Sequence, residues 1–175
     1  MRKNIETLKK VVIDASESDF WEEAVDEWEI LECDIDDDME SMCICGKEGL
    51  KYCFTIKNQF NGKILYPIGS SCINQFGRND LRQIVSVYEQ LFNIRTKYNN
   101  RKKIELQDLS RKLLYFLYEE NVFKPTSYNH FRPKEDYDFL LTMFNQRRDP
   151  TEKQQAKINA IIINSIIPYI QRMER

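Results

Sequence analysis

At 175 residues and 21.0 kDa the chain is long enough for one domain, or a domain and a small module, with a buried core. Ten Phe, nine Tyr and two Trp exclude a disordered chain, and no apolar run approaches the roughly 18–20 residues needed to span a bilayer. The net charge of −2 hides a division: residues 1–50 carry −11 and the rest +9.

The start, Met1-Arg2-Lys3-Asn4, leads into Ile5-Glu6-Thr7-Leu8 and not into an apolar stretch, so no secretory signal is expected. Residues 4–14 read as a helix with Ile5, Leu8, Val11 and Val12 at helical spacing. Ser16-Glu17-Ser18-Asp19 offers caps for a second helix that puts Phe20, Ala24 and Val25 on one side. Trp28 to Ile35 alternates as a strand, with Leu31, Cys33 and Ile35 on one face and Trp28 out of their register. Asp36-Asp37-Asp38 is a loop. Cys43-Ile44-Cys45-Gly46 is a tight turn. Leu50 to Asn58 is a strand with Tyr52, Phe54 and Ile56 opposite Cys53, Thr55 and Lys57. Asn61-Gly62 then turns a hairpin into a strand over 63–68, and Gly69 to Phe76 opens a short helix.

From Asn79 the chain is helical. A helix runs to about Tyr98 and a basic linker covers 99–103. A helix over 105–120 is faced by Leu106, Leu109, Leu113, Phe116 and Leu117. After a loop at 121–133, helix 134–147 buries Tyr137, Leu140, Leu141 and Phe144. Pro150 starts a last helix at its N1 position, and Pro168 should kink or end it. The fold expected is α+β: a small strand-plus-hairpin, treble-clef-like module followed by a mostly α-helical half. The division falls between an acidic entry plus module at 1–77 and a helical domain at 78–175.

The five cysteines, Cys33, Cys43, Cys45, Cys53 and Cys72, lie within 40 residues. In a reducing compartment such a cluster reads as metal binding before disulfides. A turn carrying Cys43 and Cys45, a hairpin, and Cys72 at a helix start give the order of a treble-clef zinc finger. Cys53 is the preferred fourth ligand and Cys33 the alternative. The competing reading is five inert cysteines packing as small apolar groups. With thiolates alone as ligands, the zinc would be structural.

Asp14 to Glu40 holds 14 acids and no base. Read sharply, Glu22, Glu23, Asp26, Asp34, Asp36, Asp37 and Asp38 bind a partner by mimicking a phosphate backbone; read plainly, they are a solvated face. Calcium is disfavoured, because the stretch lacks the glycine and closing glutamate of a calcium loop. Lys51 to Lys103 holds 10 bases and 2 acids, and Arg95, Lys97, Arg101, Lys102 and Lys103 are the residues that would contact DNA or RNA. For catalysis there is little: His130 is the single histidine, and no nucleophile elbow, zinc-protease or P-loop pattern occurs. The chain is therefore expected not to be an enzyme.

The stretch Trp28-Glu29-Ile30, Cys43-Ile44-Cys45-Gly46-Lys47, Phe54 to Asn58, Asn61-Gly62 and Pro67 to Ile73 resembles a zinc-finger-like module in small proteins of phages, large DNA viruses and mobile elements. Its pattern is C-x-C-G, then N-x-x-N-G, then I-G-S-x-C-I, and it covers residues 27–77. The run Asp149 to Gln154 is similar to a helical tail found beside such modules. Gly, Ala and Pro are scarce while Ile, Asn, Lys and Tyr are abundant, the mark of an AT-rich genome. Together these imply a phage or mobile-element binding protein, cytoplasmic in a host bacterium and off the membrane. It would inhibit a host nucleic-acid-processing complex, for instance as an anti-CRISPR protein contacting a CRISPR effector. The alternative is a zinc-stabilised DNA- or RNA-binding regulator or recombination accessory that uses the basic 51–103 region.

Overall fold

The computed structural model describes residues 2–173. It is an α+β chain dividing into two compact units, Met1–Tyr88 and Glu89–Arg175. Among the described residues no helix is long and apolar enough to cross a membrane.

The first unit opens with α1 (Arg2–Ala15), whose Leu8 and Val12 are fully buried, as their spacing predicts. The second helix is shorter than expected. α2 spans only Trp21–Ala24 and passes into a 3-10 turn at Val25–Glu27. Phe20 is its N-cap and lies 69% exposed, whereas Ala24 and Val25 are buried. It leaves the face because Ser18 Oγ accepts the Phe20 N–H and holds the backbone extended ahead of the helix.

Three antiparallel strands follow in the order β1 (Trp28–Ile35), β2 (Tyr52–Asn58) and β3 (Ile64–Ile68). The register of β1 corrects the expected alternation. Ile30 pairs with Ile56 but Glu32 pairs with Thr55, so Leu31 is an extra residue in a bulge. The bulge shifts parity: Trp28 and Ile30 before it share a face with Cys33 and Ile35 after it, opposite Phe54 and Ile56. Leu31, expected to share a face with Cys33 and Ile35, is 50% exposed, and Trp28 is fully buried with its indole N–H donating to Ser16 Oγ at 2.9 Å.

The expected hairpin turn is present, and its two asparagines hold more than the turn. Asn58 Oδ1 accepts the N–H groups of Phe60 and Asn61, while Asn61 Nδ2 donates to Ala15 O and Glu17 Oε1. Gly62 supplies the left-handed φ of +73° that closes it. Behind the turn, Asn58 Nδ2 donates to the buried Glu27 carboxylate at 2.6 Å. A short helix α3 (Ser70–Asn74) completes this part.

The two units divide inside α4 (Asn79–Asn99), not before it at residue 77. Arg78 gives the reason. Its Nη1 donates to the carbonyls of Val25, Asp26 and Trp28, at 2.6 Å for Trp28, and Nη2 pairs with Asp80. These bonds tie the start of α4 to the end of the 3-10 turn, and Leu81, Val85 and the Phe54–Tyr88 ring pair continue the attachment. Hydrogen bonds to a charged donor contribute about 1.5–3 kcal/mol. Arg78→Ala will therefore lower unfolding free energy by about 2 kcal/mol in a urea titration. Arg78→Lys, whose single ammonium cannot reach the carbonyl cluster and the Asp80 carboxylate as the separate guanidinium nitrogens do, will recover less than half of the loss.

The second unit contains the rest of α4, then α5 (Arg111–Glu119), α6 (Pro133–Asn145), α7 (Glu152–Ile161) and α8 (Ile167–Arg172). Its core includes Leu91, Leu113, Leu117, Leu140, Ile158 and Ile166. The helix expected over 105–120 is split. A 3-10 turn at Leu106–Asp108 precedes α5, because Ser110 turns extended and its hydroxyl accepts the Leu113 N–H as an N-cap. Pro150 stands one place before the N-cap, Thr151, rather than at N1. Pro168 does not end the helical run. The residues before it widen into a π turn, Ile162–Ile166, in which the Ile167 N–H reaches Ile162 O, and α8 continues through the proline.

Candidate metal centre

Two short segments of the first unit bring three sulfurs together. The first is the knuckle at 43–46, where the Gly46 N–H donates to Cys43 O at 2.7 Å and the Cys43 N–H to Lys47 O at 2.8 Å. Gly46 holds φ +83°, which is why glycine follows the second cysteine. The second is the first turn of α3, entered through Gly69. A side chain at Gly69 would place its Cβ 2.8 Å from Leu50 Cδ2, so any larger residue there must displace the Leu50 side chain. This packing sets Cys72 facing the knuckle, with Cys43 Sγ and Cys72 Sγ 3.6 Å apart.

The sulfurs of Cys43, Cys45 and Cys72 all lie within 4.8 Å of one another. Sulfurs bound tetrahedrally to zinc at about 2.3 Å stand about 3.8 Å apart, so the spacing fits a soft divalent cation and is far too long for a disulfide, about 2.05 Å. Cys43 and Cys45 are buried and Cys72 is partly buried. The Gly69 N–H points at Cys43 Sγ from 3.4 Å, and Asn4 Nδ2 reaches Cys45 O at 3.3 Å from α1.

The thiols are not equivalent. The hydrogen bond from Cys72 lowers the Cys43 pKa against the opposing effect of burial, the Cys45 and Gly69 amides help, and the value falls to about 5. Cys72, donating that bond to a buried anion, is pushed up. A metal-free centre thus holds one thiolate ready and must shed protons as a cation enters.

The expected fourth ligands lie elsewhere. Cys53 pairs across the sheet with Asp34, while Cys33 pairs with Phe54 on the opposite face, so one site cannot take both. Among the described residues Cys53 is outside the group of converging sulfurs. Burial pushes its thiol up, and the charges of Asp36, Asp34 and Cys43 add to the effect against a hydrogen bond from Ser41. A cleft of about 160 Å³ adjoins Cys43 and Cys72, and neither a carboxylate nor an imidazole lines it.

The acidic residues are spread over three places. Glu22, Glu23 and Asp26 are exposed around α2, and Glu23 accepts the Ser18 hydroxyl at 2.8 Å. Asp34 is half-buried on the sheet. Asp36 is occupied by its own loop, where its carboxylate accepts the Ser41 hydroxyl and N–H at 2.6 and 2.8 Å; the hydroxyl first, then that amide, hold its pKa low against burial. Asp37 and Asp38 are exposed beside it. Sequence reasoning missed Glu17, Asp19, Phe20 and Phe60, which with Glu23 and Asp26 line an open groove of about 690 Å³. Phe20 and Phe60 are 69% and 74% exposed there. Their place in loops beside the acids was the available signal.

The basic set is also divided. Arg95 is buried, its guanidinium 5.6 Å from the centre of the Phe92 ring, and Lys97 is bonded to Asp108 at 2.6 and 2.8 Å. Neither is presented to a phosphate. Arg101, Lys102 and Lys103 are exposed. Compared with protein-family models, curated proteins and solved structures, the chain matches none.

Proposed function

We propose that the chain is a non-enzymatic binding protein. Cys43, Cys45 and Cys72 hold a structural zinc, and the acidic face around α2 docks on a basic surface of a nucleic-acid-processing complex and blocks it. A phage or mobile-element inhibitor of a CRISPR nuclease is the concrete form. The observation that carries the reading is the groove at Glu17, Asp19, Phe20, Glu23, Asp26 and Phe60: beside the buried Glu27, its carboxylates Glu17, Asp19, Glu23 and Asp26 have no ion pair among the described residues, and two phenylalanine rings stand open beside them. Exposed acids speed encounter with a basic cleft, and the rings supply apolar contact where arginine stems lie. The competing reading, direct contact with DNA or RNA, loses Arg95 and Lys97 to internal partners.

The test is DNA cleavage by a panel of purified CRISPR nucleases with and without excess protein, at 50 and 300 mM NaCl. Wild type will suppress at least one nuclease, more strongly at low salt, where charges are less screened. The Glu22→Lys, Glu23→Lys, Asp26→Lys variant will weaken that suppression about tenfold or more, since losing and reversing close charges costs over 1.4 kcal/mol. Full suppression by the variant returns the acids to a solvated face, and an unaffected panel removes the CRISPR form.

A further inference from the structure

A second surface lies wholly within the Glu89–Arg175 unit. It is a groove of about 700 Å³ with a floor of Ile104, Ile162, Ile163 and Ile167, and Ile163 is 59% exposed. Two backbone irregularities shape it. The π turn Ile162–Ile166 forms one wall, and such turns recur at functional sites. The other wall is the end of α4 and the segment after it. α4 closes in a Schellman motif in which the Lys102 N–H reaches Lys97 O and the Arg101 N–H reaches Tyr98 O. Arg101 takes the left-handed position of that motif, φ +56°, where glycine is usual. A cation is thus kept on the rim against local strain.

The polarity of the groove is one-sided. Arg101, Lys102 and Lys103 all stand on the α4 wall and are exposed, whereas the opposite wall contributes Asn159 and isoleucines and no charge. Among the described residues Arg101 and Lys102 have no ion pair, and Lys103 has only a 3.8 Å contact with Glu105. Two of the uncharged polar groups are already engaged: Asn159 Oδ1 accepts Gln155 Nε2 at 2.9 Å, and the Tyr98 hydroxyl accepts Gln171 Nε2 at 3.2 Å. A ligand with hydrogen-bonding groups along its length would lose water there without replacing it, which disfavours an extended peptide. A nucleic-acid strand fits no better, because such strands are held by stacking on aromatic faces and this floor is aliphatic. The size is that of a small-molecule site, for which about 300–1,000 Å³ is usual. The complement of this groove is a molecule that is aliphatic along its length and anionic at one end.

We infer that the groove binds a free long-chain carboxylate, its acyl chain along the isoleucines and its head against Arg101, Lys102 and Lys103. The chain supplies affinity in proportion to the apolar surface it buries, and the unpaired cations select the sign of the head. The inference uses residues of this unit alone and stands whether or not the cysteines hold a metal or the acidic face around α2 binds a partner.

The experiment is equilibrium dialysis of the full chain against radiolabelled octanoate, decanoate and dodecanoate, each below its micelle-forming concentration, at about 50 mM NaCl, where charges are little screened. Dodecanoate will bind one to one with a Kd of about 100 µM or tighter, the order at which a single acyl chain partitions into a membrane. Each step down the series, two methylenes shorter, will weaken binding about tenfold. Dodecylammonium, with the same chain and the opposite head, will bind about tenfold or more weakly than dodecanoate. Lys102→Glu with Lys103→Glu will reverse that preference, and Ile163→Asp will weaken dodecanoate about tenfold or more. All three positions are exposed, and melting curves check that the variants remain folded. Wild type that takes up no dodecanoate at about 1 mM, ten times the expected Kd, overturns the inference. Affinity that does not change with chain length also overturns it, since that is ion pairing alone, and so does a preference for the carboxylate that survives the lysine reversal. Vesicles of phosphatidylglycerol are run beside the series; binding to vesicles without uptake of free dodecanoate would assign the groove to a membrane surface instead.

Discussion

Protein purified under reducing conditions will carry about one equivalent of zinc, and Cys43→Ser will lose it. Three thiolates on a knuckle and a helix entry are brought together by folding, so the free energy of metal binding is added to that of the fold. With free zinc a thousandfold above its dissociation constant the gain is about 4 kcal/mol, and for a chain of this size that is a fall in Tm of about 10–15 °C on removal. Cys45→Ser and Cys72→Ser will behave alike, and a chelator will bring wild type down to the level of all three. Cys33→Ser and Cys53→Ser are the discriminating variants. Both will keep the metal, because their sulfurs lie outside the converging group. Loss of zinc from Cys53→Ser would restore Cys53 as the fourth ligand, and metal-free protein from reducing buffer would leave the three thiols without their proposed role. Elemental analysis beside thermal melts reads both quantities.

Three of these sulfurs were legible from spacing because a knuckle glycine and a helix-opening glycine announce their local geometry. The fourth position was not, since it depends on where two strands carry Cys33 and Cys53. The strand containing Cys33 was recognisable, but its bulge at Leu31 was not: period-two reading assumes uninterrupted pairing, and one extra residue reverses the faces beyond it. Charge counting had a similar limit. Arg95 and Lys97 look like their exposed neighbours in sequence, and only folding shows one buried and the other committed to Asp108. The break before α5 had a readable signal, Ser110 at an N-cap position, which the continuous apolar face from Leu106 to Leu117 obscured.

Glu27 is the sharpest case, an acid that sequence merges into a solvated run and that folding buries at 4% exposure. Its Oε2 accepts the Glu17 N–H at 2.8 Å and Asn58 Nδ2 at 2.6 Å, and its Oε1 accepts the Ser18 N–H at 2.8 Å. This one carboxylate thus joins the segment after α1, the 3-10 turn and the hairpin. Burial alone would push its pKa up, but the Glu17 amide, Asn58, the Ser18 amide and the Lys63 charge together hold it below the usual carboxylate range. Glu27→Gln will cost about 2–4 kcal/mol at pH 7, because an amide must turn its NH₂ toward one set of these donors and leave them unsatisfied. Asn58→Ala, removing one donor and the turn acceptor, will cost about 1–3 kcal/mol. The pH dependence has a fixed sign. With the folded pKa below the unfolded value of about 4.3, the contribution of Glu27 is complete above about pH 5 and is lost as pH falls through the folded value. Urea titrations of wild type and Glu27→Gln from pH 7 down to pH 3 will therefore converge, whereas a gap of constant size at every pH would mean that the carboxylate acts by shape and not by charge.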